Sequence, residues 1–551
     1  MFRLIIFAVL IFNVCDGKRE VRTRTVELEE GAVVGEKYWN GEFYEFLGVP
    51  YATAPTGRDI FKAPLPVKKR EGVLTASDKN IICQQVFYTG EEEEEIYMSG
   101  QEDCLVANIL VPEIASEDNL LPVVVYIHSG AFAGGSSTMG NLNFLARHDV
   151  IAISINYRVG AIGFACLHTE EIPGNAALKD QLAALKWINK NIKKFGGDPN
   201  KVTLAGYSVG AAMAEMQAIS KHTDGLIDKL ILESGSALAP FAINRHPVTT
   251  ARNIAISIGF KDTGNIDDLN EFYLNAAEKY KELAAASLNF FLTNSTFGFA
   301  PCIESTENNP EPFLTESPID VLKSKDIKKI SILTGFSNME GLSRTAKFGE
   351  WREMMNEDFT QFIPADLSFN SEEVKKKVAD DVKKFYFKDE IVGRDNAQTY
   401  VDYFSDVMFK NPILNSVRLH AEITPRPIYF YEFSYVGQLN MKHHLMDKIQ
   451  GASHRDQTAY ILDFYGYTKS LKDLDVRDRM TWMWTDFIKY GDPVSYESSL
   501  ISTKWQKYSN AKPRYLSIGS RIEMKKNIFT DNYKFWDELY EKYYWNPTLV
   551  K

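Results

Sequence analysis

The sequence predicts an α/β fold in a single large domain, a central, mostly parallel twisted sheet with helices on both faces. Three observations carry this. Short apolar runs recur along the chain at strand length, a helical pattern separates two of them, and no Pro/Gly/Ser-rich linker or internal repeat divides the 551 residues.

Leu121 to Ile127, Val150 to Ile155, Val202 to Ala205 and Lys229 to Leu232 are continuous apolar runs rather than alternating ones, which marks strands covered on both faces. Ala176 to Ile188 is apolar at helical spacing, and Phe195-Gly196-Gly197-Asp198-Pro199 stops it. Strand, helix, strand in that order predicts a mostly parallel sheet with helices on its faces. Further on, Ile330 to Gly335 and Ile428 to Phe433 read as two more strands. The acidic run Glu91 to Glu95 is expected as solvated surface.

At the N-terminus one Arg precedes a short apolar run, Leu4 to Phe12, that ends near Cys15-Asp16-Gly17. This is signal-peptide anatomy, too short for a membrane anchor of about 20 apolar residues. The expected organisation is therefore a signal peptide at 1–17 and one domain over 18–551, secreted to the extracellular space. No membrane anchor is expected, and the tail shows neither a retention nor a lipid-anchor pattern. Composition is ordinary for a globular protein, with 45% hydrophobic and 25% charged residues. A net charge of −11 argues against nucleic acid, because phosphate-binding surfaces need clustered Lys and Arg.

In an oxidising compartment Cys83 and Cys104 are the natural pair, closing a loop of about twenty residues that stabilises by roughly 3 kcal/mol. Cys166 and Cys302, in apolar or Pro-flanked surroundings, are expected as buried free thiols. No Cys or His cluster has metal-site spacing, so no metal is expected. Asn294-Ser295-Thr296 is a glycosylation sequon and suits a secretory route.

Directly after the strand Val202 to Ala205 comes Gly206-Tyr207-Ser208-Val209-Gly210, then the helix-forming Ala211 to Met216. A nucleophilic serine raised on a sharp strand-to-helix turn needs small residues two positions to either side, where backbones crowd. Its hydroxyl becomes a nucleophile only when a histidine takes the proton and a carboxylate holds that histidine. In this type of site the chain order is Ser, acid, His. His454 lies in a Gly/Ser-containing loop after a strand and is favoured, while His443 and His444, in a Lys-flanked stretch, remain rivals. Glu340, just past the Ile330 to Gly335 strand, is the candidate acid, since catalytic groups gather at the carboxyl ends of parallel strands. His128-Ser129-Gly130-Ala131-Phe132-Ala133-Gly134-Gly135 follows the strand ending at Ile127. Gly130 and Ala131, with Val209, are candidate amide donors to an oxyanion. This loop lacks the Lys and spacing of a Walker motif.

From about Val26 to Tyr543 the chain resembles the type-B carboxylesterase and cholinesterase family, specifically its insect carboxylesterase branch. The likeness rests on Phe46 to Ala52, Pro55-Thr56-Gly57, Glu102-Asp103-Cys104-Leu105, Asn156-Tyr157-Arg158, Gly174-Asn175, Asp180-Gln181 and Gly196 to Pro199. The resemblance implies an α/β-hydrolase fold, the triad Ser208, Glu340 and His454, the oxyanion hole Gly130, Ala131 and Val209, and Ser234 as support for the triad carboxylate. It implies a serine carboxylic ester hydrolase acting through an acyl-enzyme on small to medium apolar esters, without metal or diffusible cofactor. The alternatives are a catalytically weak or inactive, esterase-like binding or adhesion protein and a lipase. Tyr207, Val209 and Ser129 depart from the family's usual residues beside the nucleophile and in the oxyanion loop. The Cys83 to Cys104 loop contains no Trp, so the aromatic platform that holds a choline cation is not evident there.

Overall fold

The computed structural model describes residues 22–88, 96–275, 280–288, 292–307, 309–443, 448–463, 468–496 and 498–545. The expected signal peptide and the Glu91 to Glu95 run lie outside them.

The apolar runs form the centre of one large sheet. Its parallel part runs, in spatial order, through Ile151–Ile155, Leu121–Ile127, Gly197–Tyr207, Lys229–Glu233, Ser331–Ser337, Ile428–Phe433 and Tyr515–Ile518. Alternate residues of one strand enter opposite cores. Val123, Val125 and Ile127 pack with the helices Ala176–Asn191 and Val209–Ile219, whereas Val124 and Tyr126 pack with Met480, Met483 and Trp484 of the helix Leu471–Tyr490. Both faces are therefore helix-covered, which is why these runs do not alternate with polar residues.

Both margins of the sheet are antiparallel. Val106–Pro112 pairs antiparallel with Ile151–Ile155, and Phe43–Pro50, Val33–Lys37 and Thr23–Val26 continue the pattern outward; Ile522–Lys525 closes the other side. The outermost of these strands, Thr23–Val26, Val33–Lys37 and Ile522–Lys525, are partly exposed and do not stand out as apolar runs, whereas Val106–Pro112 is buried along its whole length. The strand leading to Ser208 is also longer than its apolar stretch, starting at Gly197. Gly196, at φ +86°, ends the preceding helical segment, and a Cβ there would meet the Ser116 amide nitrogen at 2.5 Å. Only glycine suits that turn.

Cys83 and Cys104 are bonded, 21 residues apart. The expectation of free thiols at Cys166 and Cys302 is overturned, because these two form a second disulfide across 136 residues with their Cα atoms 6.6 Å apart. Asn175 aligns the two segments by accepting from the Cys302 amide at 2.9 Å and donating to the Cys302 carbonyl at 2.8 Å. Apolar flanks report burial of each cysteine but say nothing of which distant segment faces it. Among the described residues no helix is long and apolar enough to cross a membrane, and no group of three or more His, Cys, Asp or Glu is arranged to hold a metal ion.

Candidate active site

Ser208 sits between the strand Gly197–Tyr207 and the helix Val209–Ile219 with φ 55° and ψ −126°. This left-handed-side conformation is costly for a residue with a side chain and is found where the surroundings enforce it. Here the neighbours are glycines for steric reasons. A Cβ at Gly206 would lie 2.6 Å from Gly210 backbone atoms, and one at Gly210 would lie 2.4 Å from the Ile127 carbonyl oxygen. The Ser208 amide donates to the Glu233 carbonyl at 2.8 Å, which ties the turn to the next strand.

His454 Nε2 is 2.8 Å from Ser208 Oγ, and its Nδ1 is 2.7 Å from Glu340 Oε2. A carboxylate oxygen only accepts, so Nδ1 carries the ring proton and Nε2 accepts from the serine hydroxyl. Glu340 has no exposed surface. Its Oε1 accepts from the Ser337 amide at 2.8 Å and from Ser234 Oγ at 2.5 Å. Gln457 donates to Ser234 Oγ and accepts from Ser337 Oγ, closing a net beneath the carboxylate. The loop bearing His454 is anchored by Asp456, whose Oδ2 accepts from the Ser453 amide at 2.6 Å and from Asn440 Nδ2 at 2.9 Å. Burial raises the Asp456 carboxyl to about 6.

Glu233, one residue before Ser234, is a second buried carboxyl under the site. It accepts from Thr458 Oγ1 at 2.7 Å and Trp484 Nε1 at 3.1 Å, and burial raises it to about 7. Its side chain thus holds the His454 loop while its carbonyl holds Ser208.

The loop after Ile127 folds tightly. Gly130, Ala131 and Phe132 take φ values of +127°, +52° and +64° in succession, a backbone that is strained for residues with a side chain and held here by its surroundings. A Cβ at Gly130 would meet the Gly134 carbonyl oxygen at 2.0 Å, and one at Gly135 the Ser129 carbonyl oxygen at 2.3 Å. His128 pins the loop from below. Its ring stacks on Tyr157 at 4.1 Å, its Nδ1 contacts the Ser129 carbonyl at 2.7 Å, and its carbonyl accepts from Tyr157 Oη at 2.6 Å. Burial lowers the His128 imidazole to about 4, so it is neutral at ordinary pH.

The structure therefore brings Ser208, His454, Glu340 and Ser234 into one hydrogen-bonded chain, with Val209 opening the helix behind the serine. Of the rival histidines, His443 makes no hydrogen bond to Ser208 or Glu340 among the described residues, and His444 lies outside them. Asn294 is half-buried, and its Oδ1 accepts from Thr296 Oγ1 at 2.7 Å.

Sequence reasoning missed Ser337, Gln457, Thr458 and Glu233. Glu233 adjoins Ser234, and the other three lie within four residues of Glu340 or His454, which was the available signal. It also missed Phe409, whose ring packs 4.4 Å from the His454 ring. Phe409 lies in the π-helical turn Asp406–Lys410, an irregularity without a sequence mark and frequent at functional sites. Phe409 meets Phe241 at 5.8 Å, Phe241 stacks on Phe297 at 5.0 Å, and Phe297 meets Phe132 at 6.1 Å. An aromatic wall thus joins the histidine to the Gly130 loop.

Sheet, elbow and hydrogen-bonded Ser, His and Glu define an α/β-hydrolase. The chain belongs to the carboxylesterase family, whose model matches residues 22–536, and so to the carboxylic ester hydrolases. It is 32% identical over 497 residues to Esterase FE4 of Myzus persicae, covering 87% of this chain and 86% of that one. It is 30% identical over 514 residues to Venom carboxylesterase-6 of Apis mellifera, covering 90% and 89%. Among solved structures, the juvenile hormone esterase of Manduca sexta with OTFP covalently attached superposes with a TM-score of 0.81 at 26% identity, covering 94% of this chain and all of that one.

Proposed function

We propose that Ser208 is the nucleophile of a secreted carboxylesterase, with His454 as general base and then acid, Glu340 as the group that orients it, and the amides of Gly130, Ala131 and Val209 as the oxyanion hole. The observation that carries this reading is the unbroken line from Ser208 Oγ through both nitrogens of His454 to the buried Glu340 carboxylate. Ser208 Oγ attacks the ester carbonyl carbon as its proton passes to His454 Nε2, and the carbonyl oxygen becomes the oxyanion. Collapse breaks the ester C–O bond, and the alcohol leaves with the proton from Nε2. Water then attacks the acyl-enzyme, giving its proton to Nε2; the second intermediate collapses to the carboxylic acid while Ser208 Oγ recovers the proton.

Small to medium, largely apolar esters suit the aromatic wall from Phe132 to Phe409. Secretion is supported by the apolar N-terminal run and by two disulfides, bonds that persist in oxidising compartments. The mature domain is then 18–551, with Asn294 as its glycosylation site.

The test is hydrolysis of p-nitrophenyl esters by the purified protein beside Ser208→Ala, with an organophosphate titration. Removing the nucleophile is expected to lower turnover by about ten-thousandfold or more. If the wild type hydrolyses none of the esters and no adduct forms on Ser208, the reading is wrong.

A further inference from the structure

A cavity of about 620 Å³, within the range of small-molecule sites, opens among the strands Val33–Lys37, Phe43–Pro50, Val106–Pro112 and Ile151–Ile155 and the segment 137–142. None of the residues lining it belongs to the reaction centre. One wall is set by strand pairing. Asn108 stands opposite Ser154 in register, accepting from the Gly48 amide at 2.8 Å and donating to Ser137 Oγ at 2.9 Å. Ser154 has a different setting. It is 8% exposed and lines the cavity, and its hydroxyl has no hydrogen-bond partner among the described residues. Such an orphan is costly and rare in a native fold. Glu36 and Glu45 also line the cavity and stand directly opposite each other on antiparallel strands, where like charges weaken the sheet. Lys79 lines it as well, and among the described residues none of these three side chains makes a hydrogen bond or an ion pair. Burial raises the Glu45 carboxyl, Lys79 opposes the shift and Glu36 adds to it. Tyr38 supplies an aromatic side, its ring stacked on Phe43 at 4.6 Å and 5.7 Å from the ring of Trp39, which is 75% exposed.

These groups narrow the chemistry of an occupant. Carboxylates only accept hydrogen bonds, an ammonium only donates, and the Ser154 hydroxyl and Asn80 amide do both. An anion meets two carboxylates, and the pull of those carboxylates on a cation is opposed by Lys79. A neutral ligand whose groups each donate and accept satisfies all of them. Its hydroxyls make charge-assisted bonds to Glu36, Glu45 and Lys79, while its C–H faces lie against the aromatic side. We infer that this cavity is a second binding site, separate from the reaction centre, and that it takes a neutral mono- or disaccharide. The inference goes beyond the carboxylesterase reading and does not depend on it.

The experiment is calorimetric titration of the purified protein with glucose, galactose, mannose, trehalose, maltose and lactose, and with benzylamine as a cationic probe. At least one sugar is expected to bind one to one, and equally well to Ser208→Ala, whose cavity is intact. Glu45→Gln keeps the shape and removes the charge, and is expected to weaken binding about tenfold, the worth of a charge-assisted hydrogen bond. Glu36→Gln removes the like-charge opposition, so it is expected to weaken sugar binding while raising the melting temperature. Misfolding cannot give that combination. The inference is overturned if no sugar binds the wild type, if benzylamine binds and the sugars do not, or if Ser208→Ala abolishes sugar binding, which would place the sugar at the reaction centre. It is equally overturned if sugar binding survives unchanged in both glutamate variants. A wild type that binds a sugar but hydrolyses no ester leaves this site standing and sinks the catalytic reading alone.

Discussion

Nδ1 of His454 lies 2.7 Å from Oε2 of Glu340, a carboxylate sealed from solvent whose other oxygen is held by Ser337 and Ser234. The carboxylate cannot rotate away, so it fixes both the plane and the tautomer of the imidazole. Glu340→Gln keeps the shape but offers an amide that can donate to Nδ1, favouring the tautomer with the proton on Nε2, where it cannot accept from Ser208. Turnover of p-nitrophenyl esters is expected to fall by about a thousandfold to ten-thousandfold, with KM within a few-fold of wild type. Steady-state kinetics beside a thermal melt check this; a fall explained by lost folding would show as a matching loss of melting cooperativity.

Crowding at Ser208 predicts a contrast between two glycines. A Cβ at Gly235 would lie 2.0 Å from the Ser208 carbonyl oxygen, whereas one at Gly349, in the helix Phe348–Glu357, meets nothing within 4 Å. Gly235→Ala must push the elbow out of place, and misplacement of a catalytic group by about 1 Å costs about a hundredfold in rate. Gly349→Ala is expected to keep full activity and to gain about 0.5 to 1 kcal/mol from helix propensity. Esterase rates and urea unfolding of the two variants read both effects.

What was legible in the sequence was local. The elbow shows because strand, paired glycines and helix are contiguous around Ser208, and His454 shows because its loop follows a strand. Glu340 shows because it stands at a strand's carboxyl end. What lay hidden depends on segments meeting across the chain. Phe409 reaches His454 through a π-turn, Glu233 meets Thr458 across 225 residues, and Cys166 meets Cys302 across 136. The outermost antiparallel strands were hidden for another reason: Thr23–Val26, Val33–Lys37 and Ile522–Lys525 are partly exposed and lack the continuous apolar run that marked the parallel centre.

The two disulfides are expected to differ in worth. Closing a longer loop removes more entropy from the unfolded chain, and the separations of 136 and 21 residues put the Cys166 to Cys302 bond about 1.5 kcal/mol ahead. Gly174 reinforces the site, since a Cβ there would touch both sulfurs at 2.7 Å. Cys166→Ser with Cys302→Ser should therefore lower the urea midpoint further than Cys83→Ser with Cys104→Ser. Equal losses would mean that residual structure in the unfolded chain, not loop length, sets their value.

The buried carboxyl of Glu233 predicts a pH dependence of stability. Burial holds it near 7, opposed by hydrogen bonds from Thr458 and Trp484. Tyr126 and Tyr431 sense its charge and are raised far above the ordinary phenol value chiefly by burial, and Arg455 acts on Tyr126. Unfolded, the carboxyl titrates near 4.5. Between those values the folded protein keeps a proton that the unfolded chain releases, so the favourable contribution is complete below about pH 4.5 and declines as pH rises to about 7, by about 3 kcal/mol in all. Glu233→Gln stays neutral throughout. The difference in unfolding free energy between wild type and this variant, measured by urea titration from pH 4 to pH 8, should therefore slope against the wild type across that window and level off above it. A difference that stays flat would mean that Glu233 ionises at its unfolded value, and that Thr458 and Trp484 solvate its charge as well as water does.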